Sequence, residues 1–337
     1  MTKQQKHSDA TQAGEAIIRH WFRRSLAIIL GIGIIAVVSV WYLERDTAPA
    51  VNIEEAVITG PVVETHTAPQ TPPAVVFKDV TTVAGIDFVH TSGAYGDKLM
   101  PETIGSGAAF FDYDNDTDQD LLLVNSSWFP GHELDDTVPT LALYQNDGNG
   151  RFTDVTRETG LAINCYGMGV AAGDFDNDGW TDLYITALGE NYLFKNGQGH
   201  FTDVTSTSGT AGQSADWSTA AAFLDVDNDG DLDLFVGNYV QWTREIDLEI
   251  DFQLTGLGRA IGAPNHFFGT NNRLYRNDGQ GKFSDVSQAA GIVFADPATQ
   301  TATGKALAVA PVDYDRDGWI DLFVANDTTR NYLYHNL

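Results

Sequence analysis

From residue 77 onward, the chain alternates short apolar runs with polar segments rich in Asp, Asn and Gly. The apolar runs are rich in aliphatic and aromatic side chains, as in LLLV from Leu121, LYIT from Leu183 and LFV from Leu234. Strand signals bounded by turn signals dominate, and no long helical period interrupts them. The pattern predicts an all-β domain over residues 76–337.

Three short sequence elements recur in a fixed order along this region. The first is an acidic nine-residue loop: DYDNDTDQD from Asp112, DFDNDGWTD from Asp174, DVDNDGDLD from Asp225 and DYDRDGWID from Asp313. The second is an apolar-aromatic strand that ends in Asn: LYQN from Leu143, LFKN from Leu193, LYRN from Leu274 and LYHN from Leu333. The third is an F-x-D-V strand: FKDV from Phe77, FTDV from Phe152 and Phe201, and FSDV from Phe283.

One repeat unit therefore holds four short strands, the first of them made of small residues that precede the acidic loop. The loops at Asp174 and Asp225 begin 51 residues apart, and four antiparallel strands at this spacing are typical of a β-propeller blade. Small residues suit the innermost strand, where blades converge on the axis. The first and third units carry insertions near residues 125–140 and 238–271, and insertions in repeat proteins map to loops that often form the binding face.

The repeats predict about four blades, and the sequence leaves two ways to arrange them. The fourth unit has three of its strands, while the FKDV strand at Phe77 precedes the first unit without a partner. This strand could complete the fourth blade and close a small ring. Alternatively the blades form an open arc, which we favour because the chain stops inside a repeat.

The acidic loops place carboxylates at positions 1, 3, 5 and 9, with a backbone carbonyl expected from position 7. Hard oxygen ligands at this spacing suit Ca²⁺, whereas Mg²⁺ demands a tighter octahedron, and an EF-hand would need a glutamate at position 12. Solvated Asp-rich turns are the alternative, but four copies at matching positions favour about four calcium sites. The first loop departs from the others, with Thr117 in place of the glycine at position 6. The predicted ligands are Asp112, Asp114, Asp116, Asp120, Asp174, Asp176, Asp178, Asp182, Asp225, Asp227, Asp229, Asp233, Asp313, Asp315, Asp317 and Asp321.

A different pattern occupies the N-terminal part of the chain. Residues 25–43 form an uncharged apolar run of 19 residues, long enough for a transmembrane helix. The preceding residues 1–24 contain five Lys and Arg residues against two acidic residues, so we expect a cytoplasmic tail, a signal-anchor helix and an extracytoplasmic propeller. Residues 44–75 are rich in Pro and predict an extended stalk. The alternatives are secretion after cleavage of a signal peptide near Ala48-Pro49-Ala50, or a buried soluble helix.

The charge balance and the missing catalytic motifs limit the classes of function. A formal net charge of -27 argues against nucleic acid as a partner, because phosphate backbones need a basic footprint. The single cysteine, Cys165, lies in an apolar run and is expected to be a small buried side chain. No nucleophile elbow, zinc-protease motif or phosphate loop is found in the sequence. We therefore favour a binding or adhesion module for a protein or glycan over a polysaccharide lyase or hydrolase built on the same scaffold.

These repeats resemble the FG-GAP or VCBS repeats of integrin α-subunit propellers, and they are most similar to those of the cartilage acidic protein family. The matching segments are GIDFVH from Gly85, GSGAAFFDYDND from Gly105 and LYRNDGQGKFSDV from Leu274. The resemblance covers about residues 77–337 and implies calcium at the loop aspartates and a role as a binding platform. The ASPIC/UnbV segment that often follows the propeller in that family is not found in this sequence.

The charge asymmetry around residues 25–43 makes the membrane topology testable. In intact cells, a cysteine placed at Ser8 should be shielded from an impermeant thiol reagent, and a cysteine placed at Thr67 should be labelled. The reverse pattern would contradict the predicted orientation.

Overall fold

The computed structural model describes residues 75–133 and 137–337, and Val76–Leu337 form one compact unit. The predicted tail, signal-anchor helix and all but the last residue of the stalk lie outside the described residues. Within the described ranges, no helix is long and apolar enough to span a bilayer.

The repeats fold into separate antiparallel sheets, which we call blades 1 to 4. Blade 1 contains β1 (Ala108–Phe111), β2 (Asp120–Leu123), β3 (Ala142–Asn146) and β4 (Phe152–Asp154). Blade 2 contains β5 (Gly167–Gly173), β6 (Asp182–Ala187), β7 (Tyr192–Asn196) and β8 (Phe201–Asp203). Blade 3 contains β9 (Ser218–Leu224), β10 (Asp233–Asn238), β13 (Arg273–Asn277) and β14 (Phe283–Asp285), and blade 4 contains β15 (Ala306–Val312), β16 (Asp321–Asn326) and β17 (Tyr332–Tyr334). The predicted all-β class and the four-stranded repeat are confirmed in blades 1 to 3.

The remaining elements are short and lie between strands. The helices are α1 (Thr81–Ala84), α2 (Thr205–Ser208) and α3 (Arg244–Ile250), and 3-10 turns span Met100–Thr103 and Pro264–His266. A two-stranded hairpin of β11 (Gln253–Leu254) and β12 (Gly258–Arg259) lies with α3 in the insertion of the third unit.

Consecutive blades are held together because the second strand of each blade sends alternate side chains to opposite faces. In β6, Leu183 packs in an apolar cluster with blade 1, while Tyr184 packs in a cluster with blade 3. Each sheet is therefore covered on both faces only when it has a neighbour on each side.

The innermost strands β1, β5, β9 and β15 line one cavity of about 350 Å³, as expected for strands that converge on an axis. Their small residues are needed for this approach. A Cβ atom on Gly169 would lie 2.5 Å from the carbonyl oxygen of Thr219 in the next blade. The prediction that small residues mark the inner strand is confirmed.

Hydrogen bonds from one asparagine in each of blades 2, 3 and 4 also join neighbouring blades. The Nδ2 group of Asn196, the last residue of β7, donates to the carbonyl of Tyr113 in blade 1 at 2.8 Å and to that of Thr181 at 3.1 Å. Its Oδ1 accepts from the N–H of Gly199 at 2.8 Å. Asn277 and Asn336 make the corresponding bonds to Phe175 and Val226 of the preceding blade.

The prediction of a strand at residues 77–80 is wrong. Residues 77–80 form no strand and pair with none, and the fourth sheet has three strands. The four-bladed ring closed by this pairing is therefore not formed in the described residues.

Replacing Asn196 with Ala should destabilise the protein because it leaves the carbonyls of Tyr113 and Thr181 and the N–H of Gly199 without these partners. We expect a loss of about 2–4 kcal/mol in unfolding free energy, and a melting temperature lower by roughly 5–10 °C. The matched control is Asn149→Ala, since Asn149 is exposed and bonds only within its own turn. Equal melting temperatures for the two variants would contradict this role of Asn196.

Candidate metal centres in the acidic loops

The four acidic loops connect the first and second strands of every blade and therefore lie on one side of the arc, which we call the acidic face. The backbone at position 4 is left-handed in all four loops, with φ between 56° and 65° at Asn115, Asn177, Asn228 and Arg316. Asparagine tolerates this conformation better than most residues. In the first three loops its side chain donates to the loop of the next blade, as Asn177 does to the carbonyl of Gly230 at 3.2 Å.

The position 1 aspartates shape the loops from within. In the second loop, the carboxylate of Asp174 accepts hydrogen bonds from the N–H groups of Asp178 at 3.1 Å and Gly179 at 2.8 Å. The same pair of bonds forms at Asp112, Asp225 and Asp313. These bonds fold the loop back, so that the side chains at positions 1 and 3 point to the same place.

Carboxylate oxygens converge in every loop, although no loop brings all four predicted ligands into one group. Positions 1, 3 and 9 meet in the first two loops, and positions 1, 3 and 5 meet in the last two. The ligand atoms within a group lie within 4.8 Å of one another. This separation suits Ca²⁺, whose oxygen ligands lie about 2.3–2.6 Å from the ion. The groups are Asp112, Asp114 and Asp120; Asp174, Asp176 and Asp182; Asp225, Asp227 and Asp229; and Asp313, Asp315 and Asp317.

Two oxygens at position 3 support a fit to a cation. The Oδ1 atoms of Asp114 and Asp176 are buried and have no hydrogen-bond partner. Buried polar atoms normally have one, so an unpaired carboxylate oxygen inside an acidic group is a natural ligand position.

The position 9 aspartates anchor the loop to the sheet. Asp182 is fully buried, and it accepts hydrogen bonds from the N–H groups of Phe175 at 3.0 Å and Asn196 at 2.7 Å. Burial raises the pKa of Asp182 to about 7, even though both backbone N–H groups favour the charged form. For the same reasons the pKa of Asp233 rises to about 6. Position 9 therefore combines a structural role with its predicted role as a ligand.

Sequence reasoning missed the residue just before the Asn that ends each LYxN element. In blades 1, 2 and 4 its side chain reaches the acidic loop of the same blade: Gln145 Nε2 donates to Asp114 at 2.7 Å, and Lys195 Nζ forms ion pairs with Asp176 and with Asp178, the latter at 3.0 Å. His335 Nδ1 lies 3.0 Å from Asp321 and 3.7 Å from Asp315. Each of these residues directly precedes the Asn in the sequence, and this constant position could have identified them.

The opposite side of the arc carries the connections between second and third strands, and we call it the insertion face. The insertions of the first and third units share one apolar cluster there, in which Trp217 and Trp242 pack with ring centroids 6.0 Å apart. Trp242 lines both a cavity of about 740 Å³ and another of about 610 Å³. Cys165 is buried, and burial raises the pKa of its thiol to about 12, so the thiolate is strongly disfavoured at neutral pH.

Comparison with curated sequences and with solved structures gives two results. No curated protein sequence matches the chain. A solved structure whose title describes specific recognition of non-reducing terminal N-acetylglucosamine by an Agrocybe aegerita lectin shares 16% sequence identity with a TM-score of 0.32. The alignment covers 67% of this chain and 51% of the lectin chain, so the chain spans about half the length of that protein.

The match to a protein family is more extensive. The FG-GAP-like repeat family matches residues 112–185, 174–236 and 267–324, which together make up more than half of the chain. Each matched segment contains an acidic loop and at least the first residues of the strand that follows it. The chain therefore belongs to the FG-GAP-like repeat family.

Proposed function

We propose that this chain is a calcium-loaded, propeller-type binding module, held outside the cytoplasm by an N-terminal membrane anchor, that recognises a protein or a glycan. The observation that carries this proposal is the convergence of carboxylate oxygens in all four acidic loops. In this proposal, bound calcium stabilises the arrangement of the blades, and the insertion face binds the ligand.

Electrostatics favours a cation in the loops. Two carboxylates about 4 Å apart repel by roughly 1 kcal/mol in water and about 4 kcal/mol at an effective dielectric constant of 20. Every acidic loop contains at least four aspartates, and the whole chain has a formal net charge of -27. Calcium relieves this repulsion and satisfies the unpaired oxygens of Asp114 and Asp176.

The third residue of the LYxN element should make the calcium affinity differ from one acidic loop to another. The ammonium group of Lys195 pairs with Asp176 and Asp178, so calcium must displace it from the second loop. The neutral amide of Gln145 occupies the corresponding place in the first loop. We therefore rank the second loop as a weaker site than the first.

The insertion face has the chemistry of a recognition surface. Its cavity of about 610 Å³ is lined by aromatic side chains such as Trp128 and Tyr166 together with the charged side chains of Arg244 and Glu245. Pockets that combine apolar walls with a few polar groups are the usual form of ligand sites. Arg244 is held in place by Asp97 at 2.7 Å and by the hydroxyl of Tyr95 at 2.8 Å.

Replacing Lys195 with Gln should strengthen calcium binding in the second loop, because it removes a competing positive charge and copies the residue found in blade 1. Calorimetric titration of the full chain in detergent should show several calcium sites, one of which tightens about tenfold in Lys195→Gln. Lys282→Gln, which removes an exposed lysine elsewhere, is the charge-matched control. An absence of calcium binding at millimolar concentrations, or the same change in both variants, would contradict the assignment.

A glycan and protein binding screen of the full chain, with and without calcium, tests the function itself. We expect at least one ligand to bind in calcium, to be released in EDTA and to be lost in Trp128→Ala. Trp180→Ala is the control, because position 7 of the acidic loop supplies only its backbone carbonyl. Binding that is unchanged by EDTA and by Trp128→Ala would contradict the proposal. Cleavage of a bound glycan would support the alternative of an enzyme built on the same scaffold.

A further inference from the structure

The cavity of about 740 Å³ on the insertion face has a wall rich in hydrogen-bonding side chains. It lies at the insertion-face end of blade 3, where three segments meet: the link from blade 2, the insertion of the third unit and the residues after β14. Its volume is in the usual range of small-molecule sites. Five of the lining residues carry side-chain amides, namely Gln213, Gln241, Asn271, Asn272 and Gln288.

The three glutamines in this wall have side chains that the protein itself does not use. Gln213, Gln241 and Gln288 are exposed, and none of their side-chain amides makes a hydrogen bond within the described residues. Each amide offers two N–H donors and one carbonyl acceptor. The glutamines come from three different segments of the chain, so the fold brings free donors and acceptors together at one cavity.

A partly buried ion pair belongs to the same wall. Arg273 Nε and Nη2 donate to Oδ2 of Asp216 at 3.1 and 2.8 Å, and Nη1 donates to Oδ2 of Asp285 at 3.2 Å. Asp216 is only 5% exposed, and its Oδ2 also accepts from the N–H of Gln213 at 3.0 Å. A guanidinium has five N–H groups, and its contacts within the described residues use three of them. Two N–H groups of Arg273 are therefore left to donate to a ligand.

This ion pair interrupts the repeat at one place. The residue directly before the LYxN element is Ala142 in blade 1, Tyr192 in blade 2, Arg273 in blade 3 and Tyr332 in blade 4. Among these four blades, only blade 3 has a charged residue there. Apolar side chains commonly replace a buried ion pair without loss of stability. Because the fold accepts Ala or Tyr at this position, Arg273 is available for recognition.

The charges and amides of the wall select the ligand. Its charged residues are Asp216, Asp285 and Arg273, so negative charges outnumber positive ones and an anionic ligand is disfavoured. Side-chain amides both donate and accept hydrogen bonds, and so does every hydroxyl group. A neutral ligand with several hydroxyl groups therefore matches the wall.

The apolar part of the wall is small and rigid. The indole of Trp242 is fixed because its Nε1 donates at 2.7 Å to the buried carboxylate of Asp247. The other large apolar side chains in the lining are Ile246 and Val293. A fixed aromatic ring beside amide groups suits a sugar ring, which has C–H surfaces as well as hydroxyl groups. Extended peptides instead depend on pockets for their side chains, and this wall offers few apolar groups for them.

We propose that this cavity binds a neutral glycan, whose hydroxyl groups bond to the three glutamines and to the free N–H groups of Arg273. The inference rests on the proposed function, because it gives a ligand class and a place to the recognition assigned to the insertion face. Trp242 also lines the cavity of about 610 Å³ that contains Trp128, so the two cavities adjoin. The acidic loops lie on the other side of the arc, so calcium does not contact the sugar.

Titration with neutral disaccharides tests the site. Lactose, cellobiose, mannobiose and xylobiose are added separately to the full chain in calcium, in a detergent without sugar headgroups, and binding is measured by saturation-transfer NMR. At least one should bind, and Gln241→Ala and Gln288→Ala should each weaken its binding about fivefold, the double variant more than tenfold. Melting temperatures should not change, because these side chains are exposed and have no partner in the described residues.

Gln280→Ala is the matched control for these variants. Gln280 is an exposed glutamine of the same blade, in the turn between β13 and β14 on the acidic face, and its replacement should leave sugar binding unchanged. No binding of any of the four disaccharides would overturn the proposal. So would an equal loss in Gln280→Ala, or tighter binding of sialylated lactose than of lactose.

Failure of this site is distinguishable from failure of the proposed function. A ligand that is released by EDTA and lost in Trp128→Ala, yet unaffected by Gln241→Ala/Gln288→Ala, would leave the calcium-dependent binding module standing and overturn the glycan site. Disaccharide binding that persists in EDTA and is lost in Gln241→Ala/Gln288→Ala would support the glycan site and contradict the role of calcium in recognition.

Discussion

Each blade of this protein has two apolar faces and no way to cover them within the blade itself. Alternate side chains of a strand point to opposite faces, so Leu183 and Tyr184, neighbours in sequence, are buried against different blades. A single sheet would expose both of these faces to water, and burial of such side chains is the main source of folding free energy. Stacking of consecutive repeats is the arrangement that satisfies both faces, and the rest of the structure follows from it.

The acidic loops are part of the same joints. Asn196 links the carbonyl of Tyr113 in the first loop to the sheet of blade 2, and Asn177 donates to the loop of blade 3. The buried carboxylate of Asp182 receives the N–H of Asn196, so the residue that completes the carboxylate group also positions the asparagine between blades. An ion bound in one loop would therefore stabilise two blades. The same residues therefore take part in the carboxylate clusters and in the contacts between blades.

Much of this could be predicted from the sequence because it repeats. The strands after the acidic loops, the LYxN strands and the convergence of loop carboxylates each appear several times at fixed offsets. The FKDV strand at Phe77 was predicted wrongly because the motif has the composition of a strand but finds no partner in the described residues. The reach of Lys195 into its loop depends on which face of β7 it occupies, which only strand pairing decides. The shared core of the insertions occurs once, so no repeat could reveal the contact between Trp217 and Trp242.

Native-state hydrogen exchange tests directly whether stability comes from neighbouring blades. In repeat proteins, each unit is stabilised by its own contacts and by its interfaces with adjacent units. Amides of β6 and β7 in blade 2 should therefore exchange most slowly. Those of β16 and β17, whose sheet has a neighbour on one face within the described residues, should exchange through local opening well below the free energy of global unfolding. Equal protection of blades 2 and 4 would contradict this account.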